Sequence, residues 1–297
     1  MFLRSLVPPP IRALPWRLPW VRSTDAYRQS PLRTWLRAAR FTVWELAGRE
    51  RALQTPDGVG FASMPNNFSS FALFVGGARD PLIWRFLQRR LRPGAIFVDA
   101  GANIGAYSLP VARLVGPTGR VVAFEAHPVT FGCLERGVAM NGLPQVTALN
   151  LALGDRPGQV SMAFNTKNPG ETHVTTAGTG GAEVRLVTLD AALAELGITR
   201  IDYLKIDVEG FELPVLRGAR GIIAASPGVT VQTELEDQHA SRYGHSVREI
   251  EALLRELGLT PHGVDHEGRA YPFPDPELPR EVIWIRAGTA AEGSAPA

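Results

Sequence analysis

Cysteine and lysine are almost missing from this chain. One cysteine, Cys133, stands among 297 residues, so no disulfide can form within the chain, and a reducing, cytoplasmic setting is expected. Cys133 falls within a helical stretch and reads as a small packing residue, not a nucleophile. Two lysines, Lys167 and Lys205, stand against 29 arginines. That bias, with the many Ala, Gly and Pro residues, reflects codon usage, so the arginines are no argument for nucleic acid. No apolar run approaches the ~18 residues of a membrane span. The opening MFLRSLVPPPIRALPWRLPW is interrupted by prolines where a secretory signal would be unbroken. No G-x-S-x-G nucleophile elbow occurs, and no metal centre is expected.

What is present is unevenly placed. Residues 1–40 carry eight arginines and one acid, Asp25, a net +7, although the whole chain is only +2. Residues 1–35 read as a basic, Pro- and Trp-containing tail, solvated and partly disordered. The alternative is contact with an anionic membrane surface or nucleic acid. Residues 36–94 read as an extension with helices at 34–47 and in PLIWRFLQRRL (81–91), around a Gly/Pro/Asn-rich stretch at 55–70.

From 95 the pattern alternates. AIFVDAGANIG, RVVAFEAHP and QVTALNLAL read as strands, separated by helices at 106–115 and 129–141. Residues 156–187 read as a hairpin-like insertion with short strands at 158–164 and 182–188. Thr188 or Asp190 caps a helix at 190–197. IDYLKID is a fourth strand, followed by a short helix near 212–218, and GVTVQTELE is a fifth. SVREIEALLRELG (246–258) is an amphipathic helix capped by Ser246, EVIWIR (281–286) a last strand, and 288–297 a disordered tail. This alternation predicts an α/β, doubly wound, mostly parallel sheet over residues 95–287. Ligands on such sheets bind beyond the strands' C-terminal ends.

FVDAGANIG, residues 97–105, is the sharpest stretch. Gly101 and Gly105 permit a tight turn and close approach of backbone to ligand. The helix that follows offers free N–H groups to a carboxylate or phosphate. Asp99, at the strand's end, can accept a hydrogen bond or face a cation. Glu125 ends the next strand, where a carboxylate can accept two hydrogen bonds from a ribose diol. Together they describe a pocket for a nucleoside with a charged tail; glycines and caps with no ligand are the plain alternative. A dinucleotide fold prefers G-x-G-x-x-G, and here Asn103 replaces the middle glycine.

FVDAGANIGAYS, VVAFEAHP, NLALGD, VTLD and LKIDVEGFELPVLRGA, in that order across residues 80–235, resemble the FkbM family of S-adenosylmethionine-dependent methyltransferases. The resemblance implies the class I methyltransferase (Rossmann-like) fold, about seven strands with one antiparallel strand near the end, which EVIWIR would supply. It implies S-adenosylmethionine as cofactor and methyl transfer to a hydroxyl of a sugar, polyketide, lipid or other small metabolite. Carried over by position, Asp99, Gly101 and Gly105 would line the methionine part and Glu125 would hold the ribose hydroxyls. The segment from Asn150 to Asp155 would border the adenine. Asn103 and Ala126, beside these, complete the expected cofactor-binding set.

Lys205, Asp207 and Glu209 alternate, so an extended strand sends them to one side. The expected catalytic set is Asp207, Glu209 and Glu234. Asp207 would lie over the acceptor or the sulfonium, stabilising the cation or accepting a proton. The structural alternative makes Glu209 and Glu212 first-turn acids with Lys205 as their partner. Asp207 and Glu234 can instead hold a divalent cation, although no third ligand is in view. His127 and His239 lie nearest the strand ends and are candidates for a general base. Phe61, Phe68, Phe71 and Phe74 form core, or roof an apolar acceptor site. Two rivals stand beside the methyltransferase. A nicotinamide-dependent oxidoreductase is disfavoured by Asn103 and by the lack of a Tyr-x-x-x-Lys pair. The other rival is a non-catalytic cofactor-binding scaffold. The expected partner is a small-molecule, glycan or lipid hydroxyl acceptor.

Overall fold

The computed structural model describes residues 14–163, 173–175, 182–273 and 278–286. Its strands are β1 (Arg51–Gln54), β2 (Gly60–Ser63), β3 (Ile96–Ala100), β4 (Arg120–Phe124), β5 (Val146–Leu149), β6 (Ala152–Leu153), β7 (Gly158–Ala163), β8 (His173–Thr175), β9 (Ala182–Val187), β10 (Tyr203–Ile206), β11 (Thr230–Glu234), β12 (Leu259–Val264), β13 (Ala270–Pro272) and β14 (Glu281–Arg286). Eight of them form the main sheet in the order β13-β12-β14-β11-β10-β3-β4-β5. β5, β4, β3, β10 and β11 run parallel, and β14 lies antiparallel between β11 and β12. The antiparallel EVIWIR strand is therefore where it was expected. β12 and the short edge strand β13 were not anticipated, because LTPHGV lacks the apolar alternation of a recognisable strand.

Side-chain alternation explains why both faces are covered. Phe97, Val121, Tyr203 and Ile283 point into one core, while Val98, Val122, Leu204 and Trp284 point into the other. Trp284 is fully buried because its indole N–H donates to Thr233 Oγ1 at 2.8 Å. Caps set the helix boundaries. Asn67 accepts from Ser70 N–H before helix Phe68–Gly76, Asp80 from Leu82 and Ile83 before Pro81–Arg90, and Ser246 with Glu249 forms a capping box before Val247–Glu256. Thr188, not Asp190, caps helix Leu189–Glu195. Asp190 instead accepts from the N–H groups of Gly221 and Ile222 at the start of Arg220–Ala224.

The expected tail is corrected from residue 14 onward. Helices Leu14–Ser23, Asp25–Gln29 and Pro31–Leu46 pack onto the extension. Arg17 donates to Glu45 at 2.6 Å with both side chains almost fully buried, and its guanidinium lies 4.4 Å from the Phe71 ring centre. Trp20 packs on Phe68 and Phe71, and Asp25 pairs with Arg85. The arginine density that read as a solvated arm conceals these buried pairs. Residues 1–13 and 288–297, also expected as tails, lie outside the described residues. The insertion is a small sheet of order β6-β9-β7-β8; its segments 164–172 and 176–181 lie outside them too.

Candidate active site

A cavity of about 480 Å³ opens beyond the C-terminal ends of β3, β4 and β10. Each strand contributes the loop that follows it: Gly101–Asn103, Glu125–Ala126 and Asp207–Glu209. Leu151–Leu153 and Met162 add an apolar wall. Phe68, Ser69 and Arg79 reach in from the extension.

Glu125 is 8% exposed. Its Oε2 accepts the Asn103 N–H at 2.7 Å and its Oε1 the His127 N–H at 2.8 Å. Burial pushes its carboxyl up to about 7, against the pull of those two donors. Asn103 sits at φ 53°, a left-handed conformation that asparagine tolerates. Its Oδ1 accepts from Ile104 N–H and from Asn67 Nδ2–H at 3.0 Å, tying the loop to the helix N-cap of the extension. Gly101 takes φ 84° and Gly105 φ 89°, the backbone that the expected tight turn requires, and packing adds a second reason for glycine at 101. A Cβ there would lie 1.9 Å from the Asp207 carbonyl oxygen, so protein backbone, not ligand, fills the space. At Gly105 a Cβ would meet Leu109 and Leu134 at 2.8 and 2.9 Å.

The stretch LKIDVEGFE resolves into a chain of ion pairs at the end of β10. Lys205 is 3% exposed, with Nζ 3.3 Å from Asp99 Oδ1 and 3.3 Å from Asp207 Oδ2, and 4.9 Å from the Tyr107 ring centre. Burial opposes its charge, but Asp207 and Asp99 prevail and raise its pKa. Arg79 meets Asp207 at 3.3 Å. For Asp207 burial works upward, yet Lys205 and Arg79 outweigh it and hold the carboxyl at about 2. Asp207 thus stays ionised and is a poor proton acceptor at neutral pH. Lys205 is not the partner of Glu209 and Glu212. Glu209, at φ 54°, lies 3.3 Å from His239 Nδ1, and Glu212 accepts from Gly210 N–H at 3.0 Å. Gly210 packs so closely that a Cβ would sit 2.4 Å from the His239 carbonyl oxygen.

Of the expected residues, Gly101, Asn103, Glu125, Ala126, Asp207 and Glu209 line the cavity. Five do not, Asp99, Gly105, Asn150, Asp155 and Glu234, and each is corrected. Asp99 is fully buried behind the loop, where Ser108 Oγ–H donates to it at 2.6 Å. Gly105 faces the helix, and Asn150 donates to the carbonyls of Glu125 and Ala126, so it braces the loop. Asp155 is exposed. Glu234 borders the site through Asp207 and pairs with Arg280 at 2.6 Å. Carboxylate oxygens of Asp207, Glu209 and Glu234 come within 4.8 Å of one another. Lys205, Arg79, His239 and Arg280 already pair with them. His262 and His266 stand four apart, but in β12 and the turn after it rather than along one helix face. His127 caps helix Pro128–Asn141 and is buried beside Thr130; His239 lines the cavity. Phe68 is the one of the four phenylalanines on the wall; Phe61, Phe71 and Phe74 are core.

Sequence reasoning missed Arg79, Tyr107 and Arg280. Arg79 precedes the Asp80-Pro81 helix start, which was legible, but nothing local marks it as a partner for Asp207. Tyr107 lies within the GAYS stretch. Its hydroxyl is buried and has no hydrogen-bond partner among the described residues.

A doubly wound sheet with an antiparallel β14, a glycine turn after β3 and a buried strand-end acid after β4 is the class I methyltransferase fold. Residues 99–259 match the Methyltransferase FkbM domain, more than half of the chain, and the chain belongs to that family. It is similar to Methyltransferase sdnD of Sordaria araneosa, 36% identical over 153 residues, 41% of this chain and 59% of that protein. It is also similar to 31-O-demethyl-FK506 methyltransferase FkbM of Streptomyces tacrolimicus (31% over 205 residues; 57% and 74%). A third relative is Hexuronic acid methyltransferase AglP of Haloferax volcanii (25% over 176 residues; 59% and 68%). The chain spans 59% and 58% of the length of the first curated relatives it matches.

Proposed function

We propose that the chain is an S-adenosylmethionine-dependent O-methyltransferase acting on a hydroxyl of a sugar, polyketide, lipid or other small metabolite. The observation that carries the reading is Glu125, a desolvated carboxylate at the end of β4 on the cavity wall. The cavity suits the cofactor chemically. Glu125 offers lone pairs to a diol, Tyr107 offers a hydroxyl with no partner among the described residues, and Leu151 and Met162 offer apolar contact to a base. The relatives named for a 31-O position and a hexuronic acid support oxygen as the acceptor atom.

S-adenosylmethionine, when bound, supplies a sulfonium methyl for direct displacement by an acceptor oxygen. Asp207, held ionised by Lys205 and Arg79, lines the cavity as a fixed acceptor whose charge those two partners balance. His239, with Nδ1 toward Glu209, keeps Nε2 to accept the acceptor's proton. Glu209 is then a positioning residue, fixed in an otherwise disfavoured backbone conformation. Glu234 steadies Arg280 at the rim. A dinucleotide is disfavoured because the Asn103 N–H is already bound to Glu125 and Asp207 occupies the space beside Gly101.

Calorimetry tests the cofactor: S-adenosylhomocysteine should bind and NAD should not, and the opposite result overturns the reading. Transfer of labelled methyl into lipid, glycan and small-molecule fractions of a cell extract identifies the acceptor class. No transfer into any fraction, with the homocysteine product bound, would leave the scaffold reading.

A further inference from the structure

Helix Pro31–Leu46 is apolar on the wrong side. Its inward face buries Thr34, Ala38, Phe41 and Glu45. The opposite face presents Leu32 (74% exposed), Leu36 (62%), Val43 (65%) and Leu46 (49%). At 100° per residue these four fall within an arc of about 80°, with exposed Ala39 among them. Five of the eight large apolar residues exposed among the described residues lie between Leu18 and Leu46. Scattered surface leucines need no cause, but a continuous stripe on one helix does.

Charge identifies what covers it. Arg33 and Arg40 run along one border of the stripe, both exposed, and Arg22 is exposed on the preceding helix. The acids nearby are engaged elsewhere: Asp25 with Arg85, Glu45 with Arg17, and Glu50 with Arg136. Arg22, Arg33 and Arg40 have no carboxylate partner among the described residues. A second copy pairing this helix antiparallel about a two-fold axis would set the Arg33 and Arg40 border against the same border of its mate. A nucleic-acid backbone would meet alkyl side chains. A leucine stripe edged by arginines matches an anionic lipid surface, where the apolar face enters the headgroup boundary and the guanidinium groups meet phosphate.

We propose that the outer face of helix Pro31–Leu46 docks the protein on anionic membrane lipid. The helix packs inward on helix Phe68–Gly76, whose first residues, Phe68 and Ser69, line the cavity, while none of Leu32, Leu36, Val43 and Leu46 does.

The test is flotation of the full chain with vesicles of phosphatidylcholine alone and of phosphatidylcholine mixed with phosphatidylglycerol. The wild type should float with the mixed vesicles and weaken at high salt. Arg33→Gln and Arg40→Gln should each reduce partitioning about fivefold. Leu36→Glu with Val43→Glu should abolish it while leaving the thermal midpoint unchanged, since neither side chain is packed. Failure of the wild type to float overturns the proposal. So does equal binding to phosphatidylcholine alone with no effect of the arginine changes. Light scattering that shows a dimer, made monomeric by Leu36→Glu with Val43→Glu, would overturn it in favour of an interface between copies.

Discussion

Glu125→Gln tests the cofactor site most directly. The wild-type carboxylate accepts Asn103 N–H at 2.7 Å and His127 N–H at 2.8 Å. Glutamine keeps one acceptor oxygen and turns an NH2 toward the other donor, stranding a buried backbone N–H. That costs stability about 1–3 kcal/mol. Loss of the acceptor for a ribose hydroxyl costs binding a similar amount, roughly 5- to 150-fold in Kd. The pH dependence has a definite sign. Burial raises the folded-state pKa from 4.5 to about 7, so the native state binds a proton that the unfolded state has released. Stability from this group therefore falls as pH rises from 4.5 to about 7 and is level above. The ionised form is the better acceptor of diol hydroxyls, so the affinity for S-adenosylhomocysteine should rise with pH through about 7. The glutamine variant should lose that dependence. Calorimetry on both sides of this pH, with thermal melts, reads both effects. Glu212 and Glu281 are also pushed to about 7 by burial, so the difference between variant and wild type, not either curve, isolates Glu125. A wild-type Kd in the variant, or a flat pH profile in the wild type, would remove Glu125 from the ribose.

Gly101→Ala should destabilise by more than ~3 kcal/mol, because its Cβ would lie 1.9 Å from the Asp207 carbonyl oxygen; an unchanged melt refutes that crowding. Arg79→Met should lower turnover, leave S-adenosylhomocysteine affinity nearly unchanged, and shift the acid limb of the pH–rate profile upward as Asp207 loses a partner. Its stability cost should be about 1–3 kcal/mol, below the ~3–5 of a fully buried pair, because Arg79 is 32% and Asp207 18% exposed; unchanged turnover would make the pair structural only. His239→Gln should cut turnover by about 10²–10⁴ with the cofactor still bound, and wild-type turnover would exclude His239 as the base.

The parts of the fold legible in the sequence were those with local causes. Alternating apolar residues in FVDA and VVAF marked strands buried on both faces, and Ser246 with Glu249 marked a helix start. The order of the loops alone places Glu125 opposite the glycine turn. The missed parts depend on residues distant along the chain. Arg79 and Asp207 are separated by 128 positions, and Arg17 and Glu45 by 28. No periodicity links either pair, so residues 14–35 read as a solvated arm and Arg79 as a loop residue. Asp99 and Gly105 matched the motif in sequence, yet packing turned one toward Lys205 and the other toward Leu109 and Leu134.

The sequence by itself determined where strands and helices begin, which strand-end acids could face a cleft, and the family. Short-range periodicity and capping carry that information. Only the tertiary structure decided which acid faces the cavity and which is neutralised within the protein. It made Asp207 an ionised group at neutral pH rather than a base, because that depends on Lys205 and Arg79 approaching through three dimensions and outweighing the cost of burial.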